Sequence, residues 1–245
     1  MFQSKARLLE LNAKLAETLI SKGVTATADE TTTALVSKVS DITSGDDSVL
    51  RGLIQRDLTD LIIPYGTVVI GTYAFNKFDS LISVEIPNTV EKIGNSAFHT
   101  CSNLKKVDLS KTKIGSLSSS TFRNCWNLEE IILPKKLNNL GSYTFYDCGK
   151  LKTIHIPGTV NGMGVNIFTN CQNLEFVTLG DDFNAAKLDL SASTLFTRDT
   201  ILQWLNALAD RTGQTTYKLT IGATNLAKLT EQDILIATNK NWTLA

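Results

Sequence analysis

Leucine returns at Leu58, Leu81, Leu104, Leu128, Leu151 and Leu174, at intervals of 23, 23, 24, 23 and 23 residues. Phenylalanine keeps the same beat at Phe75, Phe98, Phe122, Phe145 and Phe168. Cysteine follows three residues behind it at Cys101, Cys125, Cys148 and Cys171, with Phe78 in that place in the first copy. The four prolines, Pro64, Pro87, Pro134 and Pro157, hold one further register, which Ser110 fills in the third copy. A fixed period of a few tens of residues belongs to chains whose units stack on copies of themselves, because one unit cannot bury its apolar face alone.

The unit reads L-x-x-I/V-x-I/L-P-x-x-V-x-x-I-G-x-x-A-F-x-x-C-x-N and is clearest in LISVEIPNTVEKIGNSAFHTCSN, residues 81–103. Leu81, Val84 and Ile86 can all point inward from a short strand that follows a bend. Pro87 lacks an amide proton and ends that strand. Val90 and Ile93 re-enter the core from a second side, and Gly94 permits a tight corner. Ala97, Phe98 and Cys101 fill a third side. Asn103, Asn127 and Asn173 recur at the coil end, where an amide side chain can satisfy turn backbone. Stacked at roughly 4.7–4.9 Å per step, five coils form a rod of only about 25 Å. The extra residue of the third copy, between Leu109 and Phe122, is expected to bulge outward and leave the stack intact.

The cysteines admit a metal or reactive-thiol reading, but zinc sites want pairs a few residues apart and the nearest pair here is 23 apart. Stacked coils would bring them close in space with parallel side chains, a poor disulfide geometry. They read as small buried apolar residues.

The segment IPNTVEKIGNSAFHTCSNL and its neighbours, nearly half the chain, resemble the BspA-like leucine-rich repeats of bacterial, phage and protist surface proteins. The resemblance implies an attachment or protein–protein contact solenoid without catalysis. The expected fold is α+β: a short BspA-type leucine-rich-repeat β-solenoid of about five 23-residue coils, with a helical N-terminal hairpin and an α/β C-terminal cap. The expected divisions are an attachment or oligomerisation segment at 1–45, the solenoid with its N-cap at 46–180, and a capping region at 181–245.

In the N-terminal flank, Leu8, Leu11, Leu15 and Leu19 form one stripe of an amphipathic helix over 4–22, which Gly23 stops. Thr27 and Glu30 make a capping box for a second helix over about 28–42. This hairpin either packs on itself or the solenoid end, or docks the protein into a larger assembly. LNAKLAETLISKGVTATADETTTALVSKVSDI resembles the N-terminal segment of tail-associated or other virion proteins in phages of Gram-positive bacteria, which implies attachment to a virion. In the C-terminal flank, helical periodicity covers Thr200–Ala209, alternation marks Tyr217–Ile221 as a strand, Thr230 and Asp233 cap a helix through about Asn239, and Trp242–Leu244 can end as a strand. LTIGATNLAKLTEQDILIATNKNWTLA resembles the terminal segment found after such repeats, which implies a cap.

Lys+Arg and Asp+Glu number 24 each, so charge gives no reason to expect nucleic acid or an anionic membrane. Apolar residues at 42% and charged residues at 20% suit a soluble, folded chain. No apolar run is long enough to span a bilayer, and charges interrupt every stretch that could form a signal-peptide core, so neither a transmembrane segment nor a secretory signal is expected. Neither His99 nor His155 has an identifiable partner set, and no Walker loop, H-E-x-x-H, G-x-S-x-G or EF-hand motif occurs. No catalytic residue, cofactor or metal is expected; a glycan hydrolase would need an acidic pair such as Glu85 or Glu130.

The residues two and four places after each repeat leucine should face outward from the strand array. The candidate contact face is Asp60, Ile62, Glu85, Lys106, Asp108, Glu130, Ile132, His155 and Phe176, with Ser83, Thr153 and Thr178 among them. It is either an ordinary solvated sheet or a partner patch, because exposed apolar and aromatic residues suit interfaces. The expected function is that of a non-enzymatic virion component on a phage tail, baseplate or head that mediates host-surface or protein–protein attachment. The alternative is a bacterial cell-surface adhesin. Expected partners are other virion proteins through the N-terminal helices, a host surface protein or glycan, and further copies of the chain.

Overall fold

The computed structural model describes residues 59–63 and 65–245. The expected N-terminal hairpin, its capping box and the residues Leu58 and Pro64 lie outside the described residues.

Each repeat leucine opens a coil with three sides. The first sides form a six-stranded parallel sheet in the order β1 (Asp60–Ile62), β3 (Ser83–Glu85), β5 (Lys106–Asp108), β7 (Glu130–Ile132), β9 (Thr153–Ile156) and β11 (Phe176–Leu179). The second sides form a parallel sheet of five two-residue strands, β2 (Val69–Ile70), β4 (Lys92–Ile93), β6 (Ser116–Leu117), β8 (Asn139–Leu140) and β10 (Gly162–Met163). Five coils are therefore complete, and Leu174 opens a sixth whose first strand joins the sheet before the chain changes course.

The third side has no strand. It is a pair of turns in each coil, and each pair puts two non-glycine residues into the left-handed region, such as Ser96 (φ 54°) and Thr100 (φ 59°) in coil two or Tyr143 (φ 59°) and Asp147 (φ 58°) in coil four. Each such residue costs roughly 1–2 kcal/mol. The conformation is offset by a second ladder: alternate amides donate to the next coil, as Ser96 N–H to Ser119 O, Phe98 N–H to Thr121 O and Thr100 N–H to Arg123 O. The sequence shows no glycine at these places and so did not reveal the conformation.

Inside, identical positions stack on themselves. Phe75, Phe98, Phe122, Phe145 and Phe168 form one column with ring centroids 5.2–6.0 Å apart and planes within 20° of parallel. All four cysteines are free and fully buried. Each thiol donates to a phenylalanine carbonyl of the coil before it: Cys101 to Phe75, Cys125 to Phe98, Cys148 to Phe122 and Cys171 to Phe145, at 3.0–3.2 Å. Burial pushes the Cys125, Cys148 and Cys171 thiols up, to about 12 at Cys171. The coil-end asparagines act as expected: Asn103 donates to Asp79 O, Asn127 to Ser102 O and Asn173 to Gly149 O.

The corner glycine has a different cause from the one its position suggests. Gly94 does not need a left-handed φ. It is pressed against the preceding coil, so that a Cβ there would lie 2.5 Å from Thr72 N, and a Cβ on Gly141 would lie 2.5 Å from Ser119 N. In coil three Ser118 takes this place and its hydroxyl donates to Ile93 O at 2.6 Å. That coil absorbs its extra residue in the turn after β5. Where coils two, four and five close this turn on Pro87, Pro134 and Pro157, coil three closes it one position earlier, by Thr112 N–H to Leu109 O. Lys113 is then exposed, and Ile114 and Leu117 return to the core.

After Leu179 the chain builds a three-stranded parallel sheet, β12 (Lys187–Asp189), β13 (Tyr217–Thr220) and β14 (Trp242–Leu244). The connections carry α1 (Arg198–Ala207), the short α2 (Ala223–Leu226) and α3 (Glu231–Asn239). The expected helices at 200–209 and 230–239 and strands at 217–221 and 242–244 are present; β12 and α2 had no sequence signal. This region shares one continuous core with the repeats. Trp204 is fully buried and its indole donates to Val177 O at 2.6 Å, and Ser193 donates to Leu174 O at 2.7 Å. The last strand of the large sheet is thus covered by the cap.

Candidate functional site

The six-stranded sheet turns one set of residues to the core and the other outward, because side chains alternate along a strand. Val84, Val107, Ile131, Ile154 and Val177 are buried. The outward residues fall into two columns set by the strand register. The first runs Asp60, Ser83, Lys106, Glu130, Thr153, Phe176. The second runs Ile62, Glu85, Asp108, Ile132, His155, Thr178. Every candidate contact residue therefore lies on a single face, and all are exposed or half-buried.

The face is divided. Its first four strands carry Asp60, Glu85, Asp108 and Glu130 against Lys106 alone, so that half is acidic. Its last two strands carry Thr153, His155, Phe176 and Thr178 and no carboxylate. Contacts run across strands: Ser83 Oγ donates to Asp60 Oδ1 at 2.5 Å, Lys106 pairs with Glu130 at 2.8 Å, and His155 Nδ1 lies 2.8 Å from Thr178 Oγ1. Hydrogen bonds from the Ser110 hydroxyl and amide hold the Asp108 carboxyl below its ordinary range.

The three apolar candidates are not brought together. Ile62 (49% exposed) and Phe176 (59%) sit on opposite edge strands, and Ile132 is half-buried between them. Five strand spacings of about 4.8 Å separate the two edges, roughly 24 Å. The acidic pair raised for hydrolysis is also separated: Glu85 is on β3 and Glu130 on β7, with β5 between, and Lys106 of β5 holds Glu130. His99 lies on the third side, away from this face, within 3.0 Å of Asn76 Oδ1. Burial, then Arg123 and Lys77, lowers its pKa.

One residue escaped the sequence reading. Trp126 stands 51% exposed in the turn that leads into β7, on the rim from which the strands start. An exposed tryptophan is the type most enriched at interface hot spots. Its signal was present in the sequence, since Trp126 falls between Cys125 and Asn127 at a coil-end position outside the core pattern.

Residues 54–178, just over half of the chain, match the family described as the BspA type leucine-rich repeat region, in six copies. The chain belongs to the BspA-type leucine-rich-repeat family. The six copies correspond to the six strands of the large sheet. Among solved structures, the T. pallidum leucine-rich-repeat protein is 22% identical with a TM-score of 0.53, over 76% of this chain and 85% of that one. A leucine-rich repeat protein from Bacteroides ovatus is 21% identical with a TM-score of 0.45, over 67% and 52% of the two chains. A leucine-rich cell surface protein from Faecalibacterium prausnitzii is 22% identical with a TM-score of 0.34, over 53% and 50%. The first of these likenesses supports the leucine-rich-repeat solenoid fold. No curated protein matches the chain. Among the described residues, no helix is long and apolar enough to cross a membrane.

Proposed function

We propose that this BspA-type solenoid is a non-enzymatic binding protein that attaches to another macromolecular surface through the outer face of its six-stranded sheet. The observation that carries this reading is the division of labour among side chains. The repeat consumes its phenylalanines, cysteines, glycines and coil-end asparagines in packing, whereas the twelve outward strand positions vary from coil to coil on a rigid frame. Phe176 on the last strand and Trp126 on the rim before β7 supply aromatic anchors, and the acidic half supplies charge selectivity. The membership of the repeat family supports surface or protein–protein contact as the role.

Binding of the purified full chain to intact Gram-positive cells, and to their extracted wall glycans, tests the reading. Phe176→Ala and Trp126→Ala should each weaken binding roughly tenfold if they are anchors. Glu85→Lys should alter its salt dependence. Unchanged binding in all three variants would remove the face from the account.

The finer reading places the protein on a phage particle. It is favoured by the likeness of residues 11–42 to virion N-terminal segments, and a bacterial surface adhesin remains its competitor. Mass spectrometry of purified particles separates them: absence of the chain from virions, with recovery from the cell wall, would retire the phage reading.

A further inference from the structure

The backbone ladders stop at coil five, and they stop unevenly. In coils one to four, three third-side amides per coil donate to the coil that follows: Tyr73, Phe75 and Lys77; Ser96, Phe98 and Thr100; Ser120, Phe122 and Asn124; Tyr143, Phe145 and Asp147. The equivalent amides of coil five, on Asn166, Phe168 and Asn170, meet no acceptor among the described residues. On the second side, Asn138 O and Leu140 O accept from coil five, but the matching Asn161 O and Met163 O accept from nothing described. Phe168 is only 1% exposed, so its unpaired amide is largely withdrawn from water. A buried donor without a partner costs about 1–3 kcal/mol and calls for an explanation.

These groups line a slot. Its other wall is the cap sheet, where Lys187–Asp189 of the edge strand β12 lie beside Lys218 and Thr220 of β13. The cavity between them has a volume of about 240 Å³, bounded by Met163–Phe168 on one side and by Lys187–Asp189 on the other, and a second cavity of about 150 Å³ continues it past Asn170 and Ser191. A single anion cannot satisfy donors on alternate residues that are directed, as in every other coil, at separate acceptors. A polypeptide can, since the following coil does this everywhere else in the molecule.

We propose that the slot between β10 and β12 binds a segment of a partner polypeptide that follows the path of a further coil, a short strand added to β10 and then a pair of turns. The segment supplies amides to Asn161 O and Met163 O and carbonyls to the Asn166, Phe168 and Asn170 amides. Its side-chain requirement follows from the coils that occupy this place elsewhere: Ile93–Gly94, Leu117–Ser118 and Leu140–Gly141. An apolar residue must enter the core side and a glycine or serine must follow it, because a larger corner residue meets the backbone of the coil beneath. The slot is separate from the outer sheet face, so its occupancy does not depend on that face.

The test uses the full chain and a synthetic peptide of the sequence of residues 90–100, VEKIGNSAFHT, as the surrogate segment. Saturating peptide should slow hydrogen exchange at the Phe168 amide roughly tenfold or more, with Asn166 and Asn170 protected alongside. The same peptide N-methylated at the positions of Glu91, Lys92 and Gly94, whose amides make these bonds in coil two, should give no protection, and Ala186→Trp, which fills the slot, should abolish the effect of the unmodified peptide. No protection at Phe168, equal protection by the N-methylated peptide, or protection confined to the outer sheet face overturns the proposal. The N-methylated arm leaves the protein unaltered, so it decides the matter even if Ala186→Trp disturbs the fold.

Discussion

The two halves of the molecule solve one problem by opposite means. The solenoid satisfies its buried groups with neutral side chains that repeat. The phenylalanine column, the cysteine thiols and the coil-end asparagines each place the same atom against the same backbone position, coil after coil. The cap satisfies its buried groups with side chains that occur once, several of them charged. Lys240 Nζ donates to Leu205 O, Asn206 O and Leu208 O at the end of α1, at 2.6–3.2 Å. Lys228 Nζ donates to Thr194 O, Phe196 O and Asn225 Oδ1 at 2.6–2.9 Å. Arg211 is buried, donates to Thr215 O and Asn184 Oδ1, and lies 3.4 Å from the centre of the Tyr217 ring. Arg198 holds Asp233 through two bonds of 2.8 and 2.6 Å, and the same carboxylate closes the capping box with Thr230. Repetition lets one solution serve five times. Where repetition ends, each group of carbonyls needs its own donor, and a single lysine serves several at once.

The largest blow to that contrast should come from the middle of the phenylalanine column. Phe122→Ala removes a ring stacked on both faces and should cost about 3–5 kcal/mol in denaturant unfolding. A loss below about 1 kcal/mol would mean the column is not the main support. Gly141→Ala should follow at about 1–3 kcal/mol, because the new Cβ overlaps Ser119 backbone. Lys240→Met should cost about 1–2 kcal/mol, by orphaning the three carbonyls that end α1, and should raise exchange in the cap before the solenoid.

A smaller effect separates the halves by pH. Arg198, and then the Thr230 amide, hold the Asp233 carboxyl down at about 2, below its ordinary value of 3.8. A depressed carboxyl contributes stability that is complete above the ordinary value and is lost as pH falls from there through about 2. Asp233→Asn should therefore flatten that part of the stability curve, and an unchanged acid limb would show that the pair contributes little. The smallest effect is kinetic: the buried thiols should resist a thiol reagent at pH 8 until the solenoid unfolds, so labelling should track global opening. Rapid labelling of Cys125 or Cys148 in the native protein would contradict their place in the core.

Legibility in the sequence follows the same divide. A position read five times is hard to misread, so the inward residues, the cysteine packing and the asparagine contacts were all visible. In the cap, local chemistry was visible: Thr230 and Asp233 are three residues apart and announce a helix start. The links from Lys240 to α1 and from Arg198 to Asp233 join residues about 35 apart that share no pattern, so nothing in the sequence pairs them. The left-handed turns stayed hidden because Tyr73, Ser96 and Tyr143 occupy one position, and their common conformation comes from the neighbouring coil rather than from the residue. The outward face was legible as a list of positions, but the separation of Ile62 from Phe176 needed the strand order.

The third coil carries one further lesson, about how such a chain can change over time. Its extra residue is confined to a single turn, and Ile114, Leu117 and Phe122 resume their places in the columns. Each coil meets its neighbours through the same backbone contacts. Loss or duplication of one whole unit would therefore deliver the cap to an equivalent seat, with the reading frame of every other coil undisturbed. A lineage carrying this gene could lengthen or shorten its recognition surface in steps of one strand, and keep the ends it already has.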